Sequence, residues 1–304
     1  MHNTHNRNTM LQHQFPVPEL PTRVVVVGAA GFIGAALVNK LVSAGISVLA
    51  LSRHDVDLLK ADAGFRLAAR LRPDDVFVAA AARAPCKNAR MLAENMQIVA
   101  ALLEALTKSP VAHVVNISSD AVYADSPGPL TEESIMAPDT VHGAMHLARE
   151  LAFRQEMHVP LTMLRPTLLY GAADPHNGYG PNRFCRLANE GEDIVLFGEG
   201  EERRDHVLID DVVEIIKRVI EQRSVGSLNV ATGDVHSFRE VAELVVANSR
   251  NKVAIKGSPR IGPLPHRGYR PFNISSSRAA FPDFNYASLA EGIAKSQRDQ
   301  NMVT

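Results

Sequence analysis

Val24-Val25-Val26-Val27-Gly28-Ala29-Ala30-Gly31-Phe32-Ile33-Gly34 is the stretch that decides the fold of this chain. Four successive β-branched residues read as a strand buried on both faces, and Ile33, Leu37 and Leu41 place a helix over residues 32–44 with Gly45 at its C-cap. Between them Gly28, Gly31 and Gly34 turn the chain sharply, let a ligand approach the backbone, and let the helix lie close on the strand. The amides and dipole of a helix start favour a phosphate at that point. A glycine turn with no ligand is the alternative, and the repetition of the same strand-helix unit downstream weighs against it.

Working outward, residues 46–51, 75–80, 112–117 and 161–164 read as strands, and residues 61–71, 91–106 and 140–157 as helices. Continuous apolar strands alternating with helices predict an α/β fold, a doubly wound parallel sheet covered on both faces. The rhythm breaks between 171 and 204, where Gly, Pro, Asn and charged residues accumulate, then resumes with a helix over 210–220, a strand over 227–230 and a helix over 237–248. Residues 257–284, rich in Pro, Arg and Ser, are expected to be irregular and draped over the surface. The expected organisation is a disordered tail over 1–21 and a dinucleotide-binding domain over 22–170, to which 207–233 returns. A smaller substrate-binding region is built from 171–206 and 234–304.

Composition narrows the function classes. Among 304 residues, 46% are hydrophobic and 21% charged, and 32 Lys+Arg stand against 33 Asp+Glu for a formal charge of −1. That balance gives no overall field for nucleic acid or an anionic membrane surface. The two cysteines, Cys86 and Cys185, lack metal or redox spacing and fit a reducing cytoplasm. The longest nearly apolar run, residues 24–38, is interrupted by glycines and is shorter than the roughly 20 residues a membrane helix needs. Residues 1–21 carry no sustained apolar segment of the kind a signal peptide needs.

At the end of the second strand stand Ser52 and Arg53, where NAD-preferring sites usually carry an acid for the ribose hydroxyls. An arginine there either pairs with a 2′-phosphate, which favours NADP over NAD, or is a solvated surface residue. Asp55 or Asp57 can accept a hydrogen bond from an adenine amine.

Beyond the glycine spacing, the chain carries Ala79-Ala80-Ala81 closing a strand, Ile117-Ser118-Ser119-Asp120-Ala121-Val122-Tyr123, and Arg165-Pro166-Thr167-Leu168-Leu169-Tyr170-Gly171. Further on come Pro181-Asn182-Arg183-Phe184, a run from Phe197 through Arg204 to Asp211, and Asn229-Val230-Ala231-Thr232-Gly233. In this order, over about residues 22–295, the set resembles the extended short-chain dehydrogenases/reductases, and within them the NAD(P)-dependent nucleotide-sugar epimerase/dehydratase branch. The resemblance implies a Rossmann fold and a nucleotide-sugar substrate. It implies that Gly28, Gly31, Phe32, Ile33 and Gly34 hold the pyrophosphate of the dinucleotide, with Ser52, Arg53 and Asp55 at its adenosine end. Ala79, Ala80 and Ala81 would line the cofactor channel, and Pro166 would sit near the nicotinamide. Ser119 matches the catalytic Ser/Thr that hydrogen-bonds the oxygen at the reacting sugar carbon, with Asp120 beside it. Asn182 and Arg204 match positions that hold the substrate's diphosphate, and Arg267 or Arg270 is a looser match for a second phosphate contact. Family members often form homodimers through a four-helix interface, for which the helices over 91–106 and 140–157 are the candidates.

One departure bears on chemistry. The family's acid/base is a Tyr-x-x-x-Lys pair, whose lysine lowers the tyrosine's pKa electrostatically. Here the register set by Pro138 and Glu150 puts His142 and His146 at those two positions, and no lysine lies between Lys108 and Lys217. The i, i+4 spacing keeps both imidazoles on one helical face. A neutral imidazole accepts a proton at pH 7 without a cationic neighbour, so His142 can serve as base, with His146 orienting it or binding the ribose. On that reading activity falls as pH drops below His142's pKa. The alternative is a catalytically degenerate protein that binds NAD(P) and nucleotide sugar in a regulatory or scaffold role. A zinc pair is disfavoured, because Gly143 follows His142 where a helical zinc protease has glutamate.

Overall fold

The computed structural model describes residues 10–303. Its centre is a six-stranded, all-parallel sheet formed by β1 (Val24–Val27), β2 (Val48–Leu51), β3 (Val76–Ala79), β4 (His113–Ile117), β5 (Leu161–Pro166) and β9 (Gly226–Val230), in the order β2-β1-β3-β4-β5-β9. The valine run divides its side chains between two cores. Val24 and Val26 join Leu37 and Leu41 of α1 (Phe32–Ser43) and Val212, Ile216 and Val219 of α6 (Ile209–Glu221) on one face. Val25 and Val27 join α2 (Ala63–Ala68), α3 (Ala89–Lys108) and α4 (Val141–Glu156) on the other. Each buried valine contributes roughly 1.5–3 kcal/mol, which explains why so short a strand can anchor both layers. Pairing of β1 with β2 on one side and β3 on the other creates the switch point where open α/β sheets take ligands, at the carboxyl ends of the strands.

The second region has its own sheet. In it β8 (Arg203–Leu208) pairs in parallel with β6 (Leu168–Tyr170) and β12 (Tyr269–Arg270) and antiparallel with β10 (Val235–Ser237). Strands β7 (Ile194–Phe197) and β11 (Ile255–Ser258) form a two-stranded sheet. Helices α5 (Pro181–Glu190), α7 (Phe238–Ala247) and α9 (Leu289–Val303) close a third core around Phe184, Val241 and Ile293.

Two expectations are corrected. The stretch 257–284 is not merely draped over the surface: it supplies β12 and α8 (Ser275–Ala280), and it buries Arg270, Phe272 and Phe281. Charge pairing buries that arginine, which composition could not reveal. Residues 10–21, expected to be part of a disordered tail, are docked at least through Glu19. Met10 and Gln12 bridge to Ser227 and Val225, and the Glu19 amide donates to the Glu221 carbonyl. His13 contacts Ser224 Oγ at 2.7 Å and the Ala280 carbonyl at 2.9 Å, and Arg223 lies over the Phe15 ring. The edge of β9 offers unpaired backbone groups, and this segment takes them up. The rest of the expected tail, residues 1–9, lies outside the described residues. No described helix is long and apolar enough to cross a membrane.

Candidate functional site

Gly28 has φ +95°, and a Cβ there would fall 2.6 Å from the Ala81 amide nitrogen; a Cβ on Gly34 would fall 2.1 Å from the Gly28 carbonyl oxygen. Both glycines are therefore fixed by close packing of loop, helix and strand. Gly31 is different: a Cβ added to it would meet only the Gly28 carbonyl, at 3.3 Å, so its outward side faces open space. Gly31 is also the N-cap of α1, where no side chain caps the helix amides. This is a helix start shaped to receive an anion.

Three cavities border Gly31, and two of them hold the expected site residues beyond the glycine loop. The first, about 230 Å³, is lined by Gly28, Gly31, Ser52, Arg53, Asp57, Ala80 and Ala81 together with Val56 and Leu58. Arg53 is largely exposed and pairs loosely with Asp57 at 3.5 Å. Asp55 turns away from this cavity: its carboxylate accepts from the Ser52 hydroxyl at 2.7 Å and the Ser52 amide at 2.8 Å, bonds that lower its pKa. The carboxylate that lines the pocket is that of Asp57.

The second cavity, about 410 Å³, shares Gly31, Ala80 and Ala82 with the first. Phe32, Ile33, Gly34, Ser119, His142, His146, Pro166, Asn182 and His206 line it. Ser119, two residues beyond β4, caps the 3₁₀ turn Asp120–Val122 by accepting from the Ala121 amide. Helix α4 starts at Thr140, whose hydroxyl accepts from the Gly143 amide at 3.0 Å, and it packs directly on that turn. Gly143 permits the approach, since a Cβ would lie 2.1 Å from the Ala121 carbonyl oxygen.

The two histidine rings stand edge to face with centroids 4.8 Å apart. Burial lowers the pKa of His142, with Asp120 pulling weakly upward. Burial, His142 and Arg149 all drive that of His146 well down, so both rings are neutral at pH 7. The Cys86 amide donates to His142 Nδ1 at 3.3 Å. A ring that accepts at Nδ1 carries its proton on Nε2 when neutral. His146 Nδ1 is sealed from solvent without a hydrogen-bond partner.

The other expected residues are engaged by the protein. Asn182 accepts from the Gly171 amide and donates to Asp174, fixing the loop that roofs the cavity. Asp120 is bonded by the buried Arg270 through its carboxylate at 3.0 Å and its carbonyl at 2.7 Å, while Arg204 stands between Glu202 and Asp120. Asp120, Arg204 and Arg270 thus come together as one charge cluster beside Ser119, off both cavity walls. Ala79 closes β3 beneath the walls. Sequence reasoning missed Arg149, Cys86 and His206. Only Arg149 left a signal, as a charge on the stripe that α4 buries through His146, Glu150 and Phe153.

A doubly wound parallel sheet with a glycine loop at its switch point is the architecture of a dinucleotide-binding α/β fold. The chain belongs to the NAD dependent epimerase/dehydratase family, whose profile it matches over residues 24–231. It is 28% identical over 309 residues to the UDP-glucose 4-epimerase of Mycolicibacterium smegmatis, covering 90% of this chain and 96% of that one. It is 26% identical over 264 residues to the dTDP-4-dehydro-6-deoxy-D-allose reductase of Streptomyces bikiniensis, covering 74% and 80%. The crystal structure of Thermus thermophilus UDP-glucose 4-epimerase in complex with NAD has the same fold, with a TM-score of 0.80 at 24% identity over 93% of this chain and 100% of that one.

Proposed function

We propose that this chain is an NAD(P)-dependent epimerase, or a related reductase or dehydratase, acting on a nucleotide-activated sugar, with His142 in place of the tyrosine base. The observation that supports this reading best is the common cavity of Ser119, His142, His146 and Pro166, continuous through Gly31 and Ala80 with the pocket at the end of β2. Gly28, Gly31 and Gly34 with the start of α1 would hold the pyrophosphate, and the lining of the first cavity would take the adenosine. When bound, the dinucleotide supplies hydride acceptance and return at its nicotinamide. The exposed Arg53 at the rim supports NADP, for which its guanidinium would bind the 2′-phosphate.

Ser119 would hydrogen-bond the oxygen at the reacting sugar carbon. In its resting tautomer His142 presents Nε2–H and polarises that oxygen as a neutral donor. To take a hydroxyl proton at Nε2 it must give up the Cys86 bond, which at 3.3 Å is long and weak. A second reading, a nucleotide-sugar-binding protein without turnover, draws support from that same bond, because it occupies the lone pair a base needs. Helices α3 and α4, with Leu151 exposed on α4, are the proposed faces of a four-helix homodimer.

The test is incubation with a panel of UDP- and dTDP-sugars and either dinucleotide, following epimer exchange and keto-sugar reduction. Turnover is expected, and His142→Phe should abolish it while leaving dinucleotide affinity within about twofold. Nucleotide binding with no turnover across the panel would select the second reading. Surviving turnover in the variant would remove His142 from proton transfer. Arg53→Ala should weaken NADP roughly tenfold and leave NAD unchanged.

A further inference from the structure

Helix α4 lacks the family's lysine, yet its buried stripe carries a full positive charge. Arg149 is 1% exposed. Its Nε donates to Asn116 Oδ1 at 2.6 Å, and its Nη1 and Nη2 donate to the carbonyls of Ala81 and Ala79, each at 2.8 Å. All three acceptors are neutral. Arg165, equally buried, shows the usual arrangement for such a group, with Glu150 receiving two of its N–H bonds at 2.7 and 2.8 Å. Arg149 has no carboxylate within ion-pairing distance among the described residues, and burial alone lowers its pKa, to about 10, leaving it cationic at neutral pH.

A buried cation without a counter-charge is costly to fold, so its location is informative. Ala79 and Ala81 end β3, and Ala80 between them lines both cavities. His146, also on the cavity wall, is one turn earlier on the same face of α4.

We infer that Arg149 is the permanent cation of this site, a positioning residue that acts through the end of β3 and the histidine pair to favour negative and disfavour positive charge in the cavities. The inference rests on the dinucleotide reading above. It locates the charge that the lysine would have supplied, moved one turn along the helix and beneath the wall. A nicotinamide ring is cationic when oxidised and neutral when reduced, so a fixed cation favours the reduced dinucleotide. The titratable and charged groups that face His146 are Arg149 and His142 on its own helix, and those that face His142 are His146 and Asp120 of the 3₁₀ turn.

Asn116→Asp tests this without touching the arginine, because it keeps the acceptor oxygen and adds the missing counter-charge. Arg149→Lys keeps the charge but not the fork of three bonds. Two readouts are taken: NMR titration of the histidine rings in ligand-free protein, and the ratio of affinities for reduced and oxidised dinucleotide. Asn116→Asp should move the His146 titration upward and cut the preference for the reduced form roughly tenfold, the scale of one charge interaction in a partly solvated interior. Arg149→Lys should stay near wild type in both. An unmoved His146 titration in Asn116→Asp, or a shift in Arg149→Lys as large as in Asn116→Asp, would overturn the inference. If the wild type binds neither dinucleotide form, the dinucleotide reading falls, and the histidine titrations alone decide the role of Arg149.

Discussion

Gly143→Ala separates two accounts of helix α4. Alanine is a better helix former than glycine by about 1 kcal/mol, so a helix considered alone predicts stabilisation. The packing predicts the reverse. The added Cβ would lie 2.1 Å from the Ala121 carbonyl oxygen and 2.5 Å from Pro138 Cβ, and ordinary contact begins at 3.4 Å, so α4 must retreat by about 1.3 Å from the turn that holds Ser119. Overpacking of this kind costs roughly 1–3 kcal/mol. Net of the helix-propensity gain the loss is up to about 2 kcal/mol, so the thermal midpoint should fall by a few degrees. Displacing His142 from Ser119 by about 1 Å should lower kcat roughly a hundredfold, with dinucleotide affinity preserved because the glycine loop lies on α1. Calorimetric melting, steady-state kinetics and cofactor titration on one preparation read all three. A variant as stable and as active as the wild type, or more so, would refute the claim that Gly143 sets the approach of helix to turn.

Other outcomes follow from burial. Glu150→Gln removes the carboxylate that receives two N–H bonds of the buried Arg165 and should cost about 3–5 kcal/mol in urea unfolding, with no gain from salt. Burial lowers His113 to about 4 and His206 to about 3. Their neutral forms stabilise the fold fully above the ordinary imidazole value of 6.5, and that contribution is lost as pH falls from there toward 4. The buried carboxyls Asp205 and Asp211, raised to about 6, act in the opposite sense, their contribution being lost as pH rises through 6. His206→Phe should flatten the acid limb measured by urea unfolding between about pH 7 and pH 4, and an unchanged limb would show that His206 does not drive it. Turnover, if His142 handles the proton, should fall only below 6.5, since burial has lowered its pKa.

The parallel sheet was legible because β1 and β3 are apolar on both faces, a pattern that needs no knowledge of partners. The second sheet was not. Strand β8 opens with Arg203-Arg204-Asp205-His206, a polar run that reads as surface, although Asp205 and His206 are buried between strands on either side. Helix α5 did carry its signals, Pro181 at its start and Gly191 at φ +75° after its end, but they were masked by a polar stretch. In the site, the histidine pair could be read from register alone, because α4 keeps its spacing. The pairing of Arg270 with Asp120 could not, since the two residues are 150 positions apart and meet only when both regions are folded.

The segment lying against β9 sets an order of assembly. His13 bonds the carbonyl of Ala280, a partner 267 residues downstream. During synthesis from the amino end, the sheet and its covering helices can form while that partner does not yet exist. The segment's backbone partners Glu221, Gln222 and Val225 precede Ala280 in the chain, so the segment can take its place on them first and gain the His13 bond when α8 packs. Without this segment the outer edge of β9 would stand bare and open to strand addition from another chain.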